Sequence, residues 1–501
     1  YQNYQTRYIL ASGKGLPEGI TEVGAATQDR MNDTWSKESA LTSIISRVFY
    51  SYDNRYLITA TYRRDGSSKF AKENRYGHFP SVSVGWNIAE EHFMEQSKSW
   101  MDQLKLRAGY GILGNQEIDD YMYTSVITSN INYPDGNGGL ISGAFPKDFA
   151  NPAIKWEETE MTNIGVDMAF MNSRLMITGD WYRKNTKDIL LTVPIPISTG
   201  GANDPVRNAG KIKNTGVEWT VGWNDAPSKD FSYGITWTGN AMKNEVVEMG
   251  DANQVIEGGK NRTNVATTRT LAGYPIGGFW LIPTEGLFQN QAEIDAYVKD
   301  GNLIQPNAKP GDIRFKDSNG DGKITDDDRV YCGSPFPTLT MGLNLNASYK
   351  GFDLLLGMQG VFGNKVYNGT RLELEGVNKG TNFLASTLDY WTPDNPGASH
   401  PRLVWDDPNQ NTRPQSDRFL ENGSFFRLRN VQLGYTFPNR WFQDKIQKLR
   451  VYVNAENLFT ITGYSGYTPD INNADNATSR GFDNFVYPTN RVFMLGLNLT
   501  F

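Results

Sequence analysis

The eleven residues Leu339-Thr340-Met341-Gly342-Leu343-Asn344-Leu345-Asn346-Ala347-Ser348-Tyr349 alternate without a break. Leu339, Met341, Leu343, Leu345, Ala347 and Tyr349 fall on one face. Thr340, Gly342, Asn344, Asn346 and Ser348 fall on the other. A period of two marks a strand whose faces meet different surroundings. A tilted strand needs about nine to eleven residues to cross a bilayer. Lys350-Gly351 then leads into a second alternating run at 352–361, so the two runs predict an antiparallel hairpin.

The same pattern extends outward from this hairpin. Residues 80–88 set Val82, Val84, Trp86 and Ile88 against Ser81, Ser83, Gly85 and Asn87. Residues 161–170 and 215–223 read alike, with Ile164, Val166, Met168 and Phe170 on one apolar face and Val217, Trp219, Val221 and Trp223 on another. Further runs lie at 43–52, 55–64, 104–112, 174–182, 231–240, 430–437, 449–457 and 491–501, and a weaker one near 5–11 precedes the polar stretch 12–42. The total is fourteen expected strands. In the last, Phe493, Leu495, Leu497, Leu499 and Phe501 share a face, a closing amphipathic strand with a terminal aromatic.

The connections alternate in length. Those at 53–54, 171–173, 224–230 and 350–351 are short, while 113–160, 183–214, 241–338 and 362–429 are long. Aromatic residues flank the short ones: Tyr50, Tyr52 and Tyr56, Phe170, Trp223 and Phe231, Tyr349 and Phe352, and Phe437. Tight turns on one side, extended loops on the other and aromatic girdles describe an all-β transmembrane antiparallel barrel. A soluble β-sandwich also alternates, but it gives no reason for every second loop to be long.

Composition narrows the function. The chain has 501 residues, a net charge of −6 and no Lys/Arg cluster, so no nucleic-acid partner is expected. Cys332 is the single cysteine, and His78, His92 and His400 lie far apart in sequence, which leaves no thiolate or histidine site. No run of about 18 apolar residues forms a transmembrane helix. The carboxylate pairs Asp119-Asp120 and Glu157-Glu158 lie in a polar loop and read as solvated faces, so no enzyme activity is expected. Trp156, Phe279, Trp280, Trp391 and Trp405 either stack on cargo or pack the long loops together. The N-terminus, Tyr1-Gln2-Asn3, carries no signal peptide, and the chain is expected to be a piece of a longer secreted protein.

One constellation carries metal chemistry. Residues 317–328 read Asp-Ser-Asn-Gly-Asp-Gly-Lys-Ile-Thr-Asp-Asp-Asp. Oxygen ligands fall at Asp317, Asn319 and Asp321, at the carbonyl of Lys323, at Thr325 and at Asp328, with Gly322 at the tight turn. This is the spacing of an EF-hand loop, except that Asp328 replaces the bidentate Glu. Without flanking helices it reads as an external loop stapled by a structural Ca²⁺.

Several stretches together resemble the SusC/RagA family of TonB-dependent outer-membrane transporters. They are Arg64-Asp65-Gly66-Ser67-Ser68-Lys69-Phe70, Asn74-Arg75-Tyr76-Gly77-His78-Phe79-Pro80, Gly273-Tyr274-Pro275-Ile276-Gly277 and Gly286-Leu287-Phe288-Gln289-Asn290. The series continues with the run Gly311-Asp312-Ile313 to Asp328-Arg329, then Tyr349-Lys350-Gly351-Phe352-Asp353. It ends with Phe426-Arg427-Leu428-Arg429-Asn430-Val431-Gln432-Leu433-Gly434-Tyr435 and Asn454-Ala455-Glu456-Asn457-Leu458-Phe459.

The resemblance implies a 22-stranded barrel, of which this chain holds about fourteen strands, with the plug domain and TonB box outside it. It implies residence in the outer membrane of a Gram-negative bacterium and active, TonB-dependent import. The cargo would be glycan or peptide fragments, oligosaccharide or oligopeptide, taken up beneath a SusD-like surface lipoprotein. Outer-membrane lipid would surround the barrel. The alternative is a passive diffusion channel, in which fourteen strands close on themselves. Which cargo is carried depends on loop geometry and is not legible in the sequence.

Overall fold

A computed structural model describes residues 1–501 apart from 126, 147–148, 193–204, 251–254, 261–264, 378–379, 443–445 and 472–476. Its main element is one fourteen-stranded sheet. The strands, in chain order, are Gln2–Lys14, Gln28–Tyr52, Tyr56–Ser67, Tyr76–Asn87, Met101–Asn115, Glu157–Phe170 and Leu175–Lys187, followed by Lys211–Ser228, Phe231–Glu248, Leu339–Tyr349, Phe352–Phe362, Phe425–Phe437, Lys448–Thr462 and Val492–Thr500. Neighbours in the sheet are neighbours in the chain throughout, so the order is a meander. The smaller strands between them belong to two-, three- and four-stranded sheets within the long connections.

All fourteen expected strands are present, most of them longer than the alternation suggests. The largest correction falls on 12–42, read from its polarity as a connection. Only 15–27 connects. Gln28–Tyr52 is a 25-residue strand that pairs along the whole of Gln2–Lys14, from Gln2 opposite Leu41 to Lys14 opposite Gln28. Its outer half is exposed on both faces, so no apolar–polar contrast marks it.

Hydrophobic residues separate cleanly across the sheet. Trp237, Leu343, Met358, Leu428 and Phe459 stand opposite one another across five consecutive strands. The register on the other face runs Thr236, Asn344, Gly357, Asn430 and Glu456. The apolar face is not covered: Leu495 is 79% exposed, Phe493 71% and Leu497 62%. Soluble domains rarely expose contiguous apolar surface of this extent, and a bilayer is the medium that receives it.

A sandwich would bury such a face in a core. Here most of the fully buried large side chains lie in the connections instead. Phe279, Leu281, Tyr367, Leu372, Phe419 and Phe482 form one cluster, and Ile282, Ile313 and Phe315 another. By contact, the chain divides into two compact units. One comprises 1–85, 108–162 and 184–212, and its core is Phe70, Phe79, Ile154 and Trp156. The other comprises 86–107, 163–183 and 213–501 and holds the two clusters named before.

Aromatic pairs gather at the short turns, as amphipathic rings do at headgroup level. Tyr52 meets Tyr56 at 6.4 Å, Trp100 stacks on Phe170 at 5.9 Å, Phe231 meets Tyr349 at 6.3 Å and Phe352 meets Tyr435 at 4.6 Å.

Candidate functional site

The polar face of the sheet lines an open cavity of about 1020 Å³ in the second unit. Its wall draws on strands from Leu175–Lys187 to Lys448–Thr462, so residues more than 250 positions apart, such as Asp180 and Glu456, share it. At one side Arg107 is held by two carboxylates. Its Nε and Nη2 donate to Asp167 at 2.7 and 2.9 Å, and its Nη1 and Nη2 donate to Asp180, both at 3.0 Å. This paired clamp ties three neighbouring strands together. Glu218, exposed on the next strand, has no ion-pair partner among the described residues.

At the other side Arg427 is buried and fixed. It donates to Thr460 at 3.0 Å, to Asp470 at 3.3 Å and to Thr468 at 3.4 Å, and its guanidinium lies 4.9 Å from the ring centre of Phe425. Two residues on, the register breaks. Gly357 pairs with Asn430 but Met358 pairs with Leu428, so Arg429 is an extra residue with no partner on that side. Opposite, Leu428 faces Phe459 and Asn430 faces Glu456, and Asn457 takes a left-handed φ of 52°. The irregularity turns Arg427, Arg429 and Asn430 toward the cavity within four residues, which strict alternation forbids.

The loop read as a Ca²⁺ site is ordered through its own carboxylates. Asp317 Oδ1 accepts from Gly320 N and Asp321 N at 2.7 and 3.2 Å, and Oδ2 accepts from Gly322 N at 2.9 Å. Asn319 Oδ1 accepts from Asp321 N at 2.9 Å, and Asp321 Oδ1 accepts from Lys323 N at 2.9 Å. Asp328, fully buried, takes Ser318 N on one oxygen at 2.9 Å and Thr325 N on the other at 2.7 Å, closing a capping box with Thr325. Gly322 holds φ +85° at the tight turn. Among the described residues no three His, Cys, Asp or Glu side chains by themselves form a metal-holding group. Asp317, Asp321 and Asp328 are therefore not drawn together as such a group; the expected set adds to them the Asn319 amide, the Thr325 hydroxyl and the Lys323 carbonyl.

Most of the remaining candidates pack or pair within the connections. Phe279, Trp156 and Trp391 are buried. Trp280 packs on Tyr274 at 4.8 Å, and Trp405 stays 64% exposed, with its ring free to take a contact. Asp119 and Asp120 lie 3.8 and 3.9 Å from Lys37 and Lys69, and Glu157 accepts from Leu190 N.

Sequence reasoning missed a buried charge cluster in the connection 363–424. Glu375 pairs with Arg371, with Arg418 at 2.9 Å and with His400 at 3.1 Å. Burial works to raise its carboxyl, but His400, Arg371 and Arg418 outweigh that and hold it down to about 2. Its members are spread over 48 positions with no common spacing; only the charged residues inside an otherwise apolar helix, Gly369–Glu375, hint at it.

Comparison with known proteins places the chain. The family model described as "TonB dependent receptor-like, beta-barrel" matches residues 47–458. TonB-dependent receptor P3 of Formosa agariphila is 32% identical over 96% of this chain and 47% of its own length. TonB-dependent receptor SusC of Bacteroides thetaiotaomicron is 32% identical over 94% and 45%. A solved structure of the RagAB peptide transporter superposes with a TM-score of 0.83 at 27% identity, covering all of this chain and 52% of the other. The chain thus spans about half the length of the relatives it matches. With residues 47–458 matched by the family model, this chain belongs to the TonB-dependent receptor-like β-barrel family of the Gram-negative outer membrane, and along its length it is similar to SusC and to a chain of the RagAB transporter.

Proposed function

We propose that the full-length protein actively imports oligosaccharide or oligopeptide fragments across the outer membrane, energised through TonB and served by a SusD-like surface lipoprotein. The observation that carries this reading is the sheet's contrast: an uncovered apolar face for lipid and, behind it, a polar cavity of about 1020 Å³. The likeness to SusC and to a RagAB peptide transporter supports a partnered importer over a simple pore. The test is uptake of labelled oligosaccharides and oligopeptides by cells with and without the gene, before and after collapse of the proton-motive force. Uptake that needs both the gene and the force is expected. Gene-dependent uptake indifferent to the force would favour the passive channel.

The 317–328 loop is proposed to hold a structural Ca²⁺ through Asp317, Asn319, Asp321, the Lys323 carbonyl, Thr325 and Asp328. The residues fit the ion. All donors are hard oxygens, Asp328 is fully buried and makes no ion pair among the described residues, and the Ser318 hydroxyl is buried without a hydrogen-bond partner. Asp317 Oδ2, Asp321 Oδ1 and Asp328 Oδ2 each accept a single backbone N–H and keep a lone pair for a cation. The paired substitutions Asp317→Ala and Asp321→Ala should lower bound calcium by about one ion per chain while the barrel stays folded. Metal analysis of the purified protein reads the outcome, and a calcium-free wild type would overturn the assignment.

A further inference from the structure

We infer that Arg429 is an anion-binding residue of the inner wall, set there by the strand irregularity to take a carboxylate of the cargo. The inference rests on the import reading above.

Three observations converge. The extra residue at 429 lets Arg429 and its neighbour Asn430 both line the cavity, where alternation counted back from Asn430 would point Arg429 toward lipid. Such an irregularity costs ladder hydrogen bonds and recurs where a side chain must be re-aimed toward a site. Arg429 itself is exposed and has no ion-pair or hydrogen-bond partner among the described residues. The neighbouring Arg427 is already committed to Asp470 and two threonines, so among the described residues lining the cavity the uncommitted cation is Arg429.

Height on the wall fits cargo. Phe437 marks the short-turn end of the strand, and Arg429 stands eight residues above it toward the long connections. At about 3.3 Å per residue and a tilt near 45° this is roughly 19 Å, in the outer half of the membrane.

The surroundings select the kind of anion. A guanidinium binds a carboxylate through two parallel N–H donors. Glu456, opposite Asn430, also lines the cavity and has no ion pair among the described residues. Its charge opposes crowding of negative charge near Arg429, which disfavours a dianionic phosphate more than a monoanionic carboxylate. Asn430 lines the cavity beside Arg429, and its Oδ1 is buried without a donor. A carboxylate of this kind comes either from the C-terminus of an oligopeptide or from a uronic acid in an oligosaccharide.

The experiment uses the full-length protein in detergent with four probes: hexapeptides as free acids and as C-terminal amides, and oligouronides with their carboxyl-reduced, neutral counterparts. Wild-type protein should bind one acid form about ten- to a hundredfold more tightly than its neutral counterpart, the loss of one charge-assisted contact. Preference for the free-acid peptide assigns a peptide terminus; preference for the oligouronide assigns a uronic acid. Arg429→Gln should erase that preference with the barrel still folded by heat-modifiable gel mobility. Arg429→Lys should restore part of it, and Glu456→Gln should tighten acid probes and admit phosphorylated ones. Acid and neutral probes bound alike, or a preference that survives Arg429→Gln, would overturn the assignment while leaving import standing. Failure of energised cells to take up any of the four probes would count against import, and against the role of Arg429 with it.

Discussion

Leu343 and Asn344 are adjacent in the chain yet face different media. Leu343 sits in the apolar row between Trp237 and Met358, and Asn344 lines the cavity opposite Gly357. Arginine at 343 should cost about 2–4 kcal/mol near the bilayer midplane and at 344 far less, which a refolding titration of the two variants will read. This contrast was legible in the sequence because a period of two needs only neighbouring residues. Glu375 was not, since its partners come from Arg371, His400 and Arg418 on separate segments. Its folded pKa of about 2 lies below its ordinary value of 4.5, so it contributes stability above about pH 4.5 that is lost as pH falls toward 2. Amide protection factors across 363–424, corrected for the intrinsic exchange rate at each pH, should therefore hold steady from neutral pH to about 4.5 and fall below it. Glu375→Gln, leaving the largely buried Arg418 without a carboxylate, should remove about 3–5 kcal/mol from that loop at neutral pH.

At the scale of the element, the hairpin 339–362 turns on two residues that both adopt positive φ, Lys350 at 46° and Gly351 at 89°. Such a turn matches the right-handed twist of the flanking strands. A methyl group on Gly351 would meet the Thr436 carbonyl at 2.7 Å. Gly351→Ala should therefore destabilise the hairpin by more than about 1 kcal/mol, whereas Lys350→Asn should be neutral or better. Urea midpoints in micelles distinguish the two. Strand ends were less legible than strand centres, for two physical reasons. Beyond the bilayer both faces of a strand are wet, so Gln28–Ala40 carries no contrast to read. At an extra residue the alternation changes phase, and the expected strands 430–437 and 449–457 stop beside Arg429 and Asn457, whereas the observed ones run through to Phe425 and Thr462. The same residue that hid the strand boundary supplies the free guanidinium of the cavity.

For the molecule as a whole, strand count and the alternation of short and long connections were visible in sequence, while the cavity was not, because its wall joins residues from seven strands. The meander has a kinetic consequence. Most strands meet a partner a few residues or a few tens of residues away, but Phe231–Glu248 and Leu339–Tyr349 are separated by the 90 residues 249–338. Relative to a two-residue turn, closing that span costs roughly 3 kcal/mol more chain entropy. The hairpin 339–362 should therefore form first and dock afterwards, which makes 231–248 against 339–349 the late seam of assembly. Ser232 and Ser348 face each other across it with their hydroxyls 2.8 Å apart. Cysteines at both positions, with Cys332→Ser to remove the native thiol that is exposed until the chain folds, give a clock for seam closure under oxidising conditions near pH 8. The 232–348 crosslink should appear after an equivalent one placed between 340 and 361, and simultaneous appearance would mean that the two blocks fold as one.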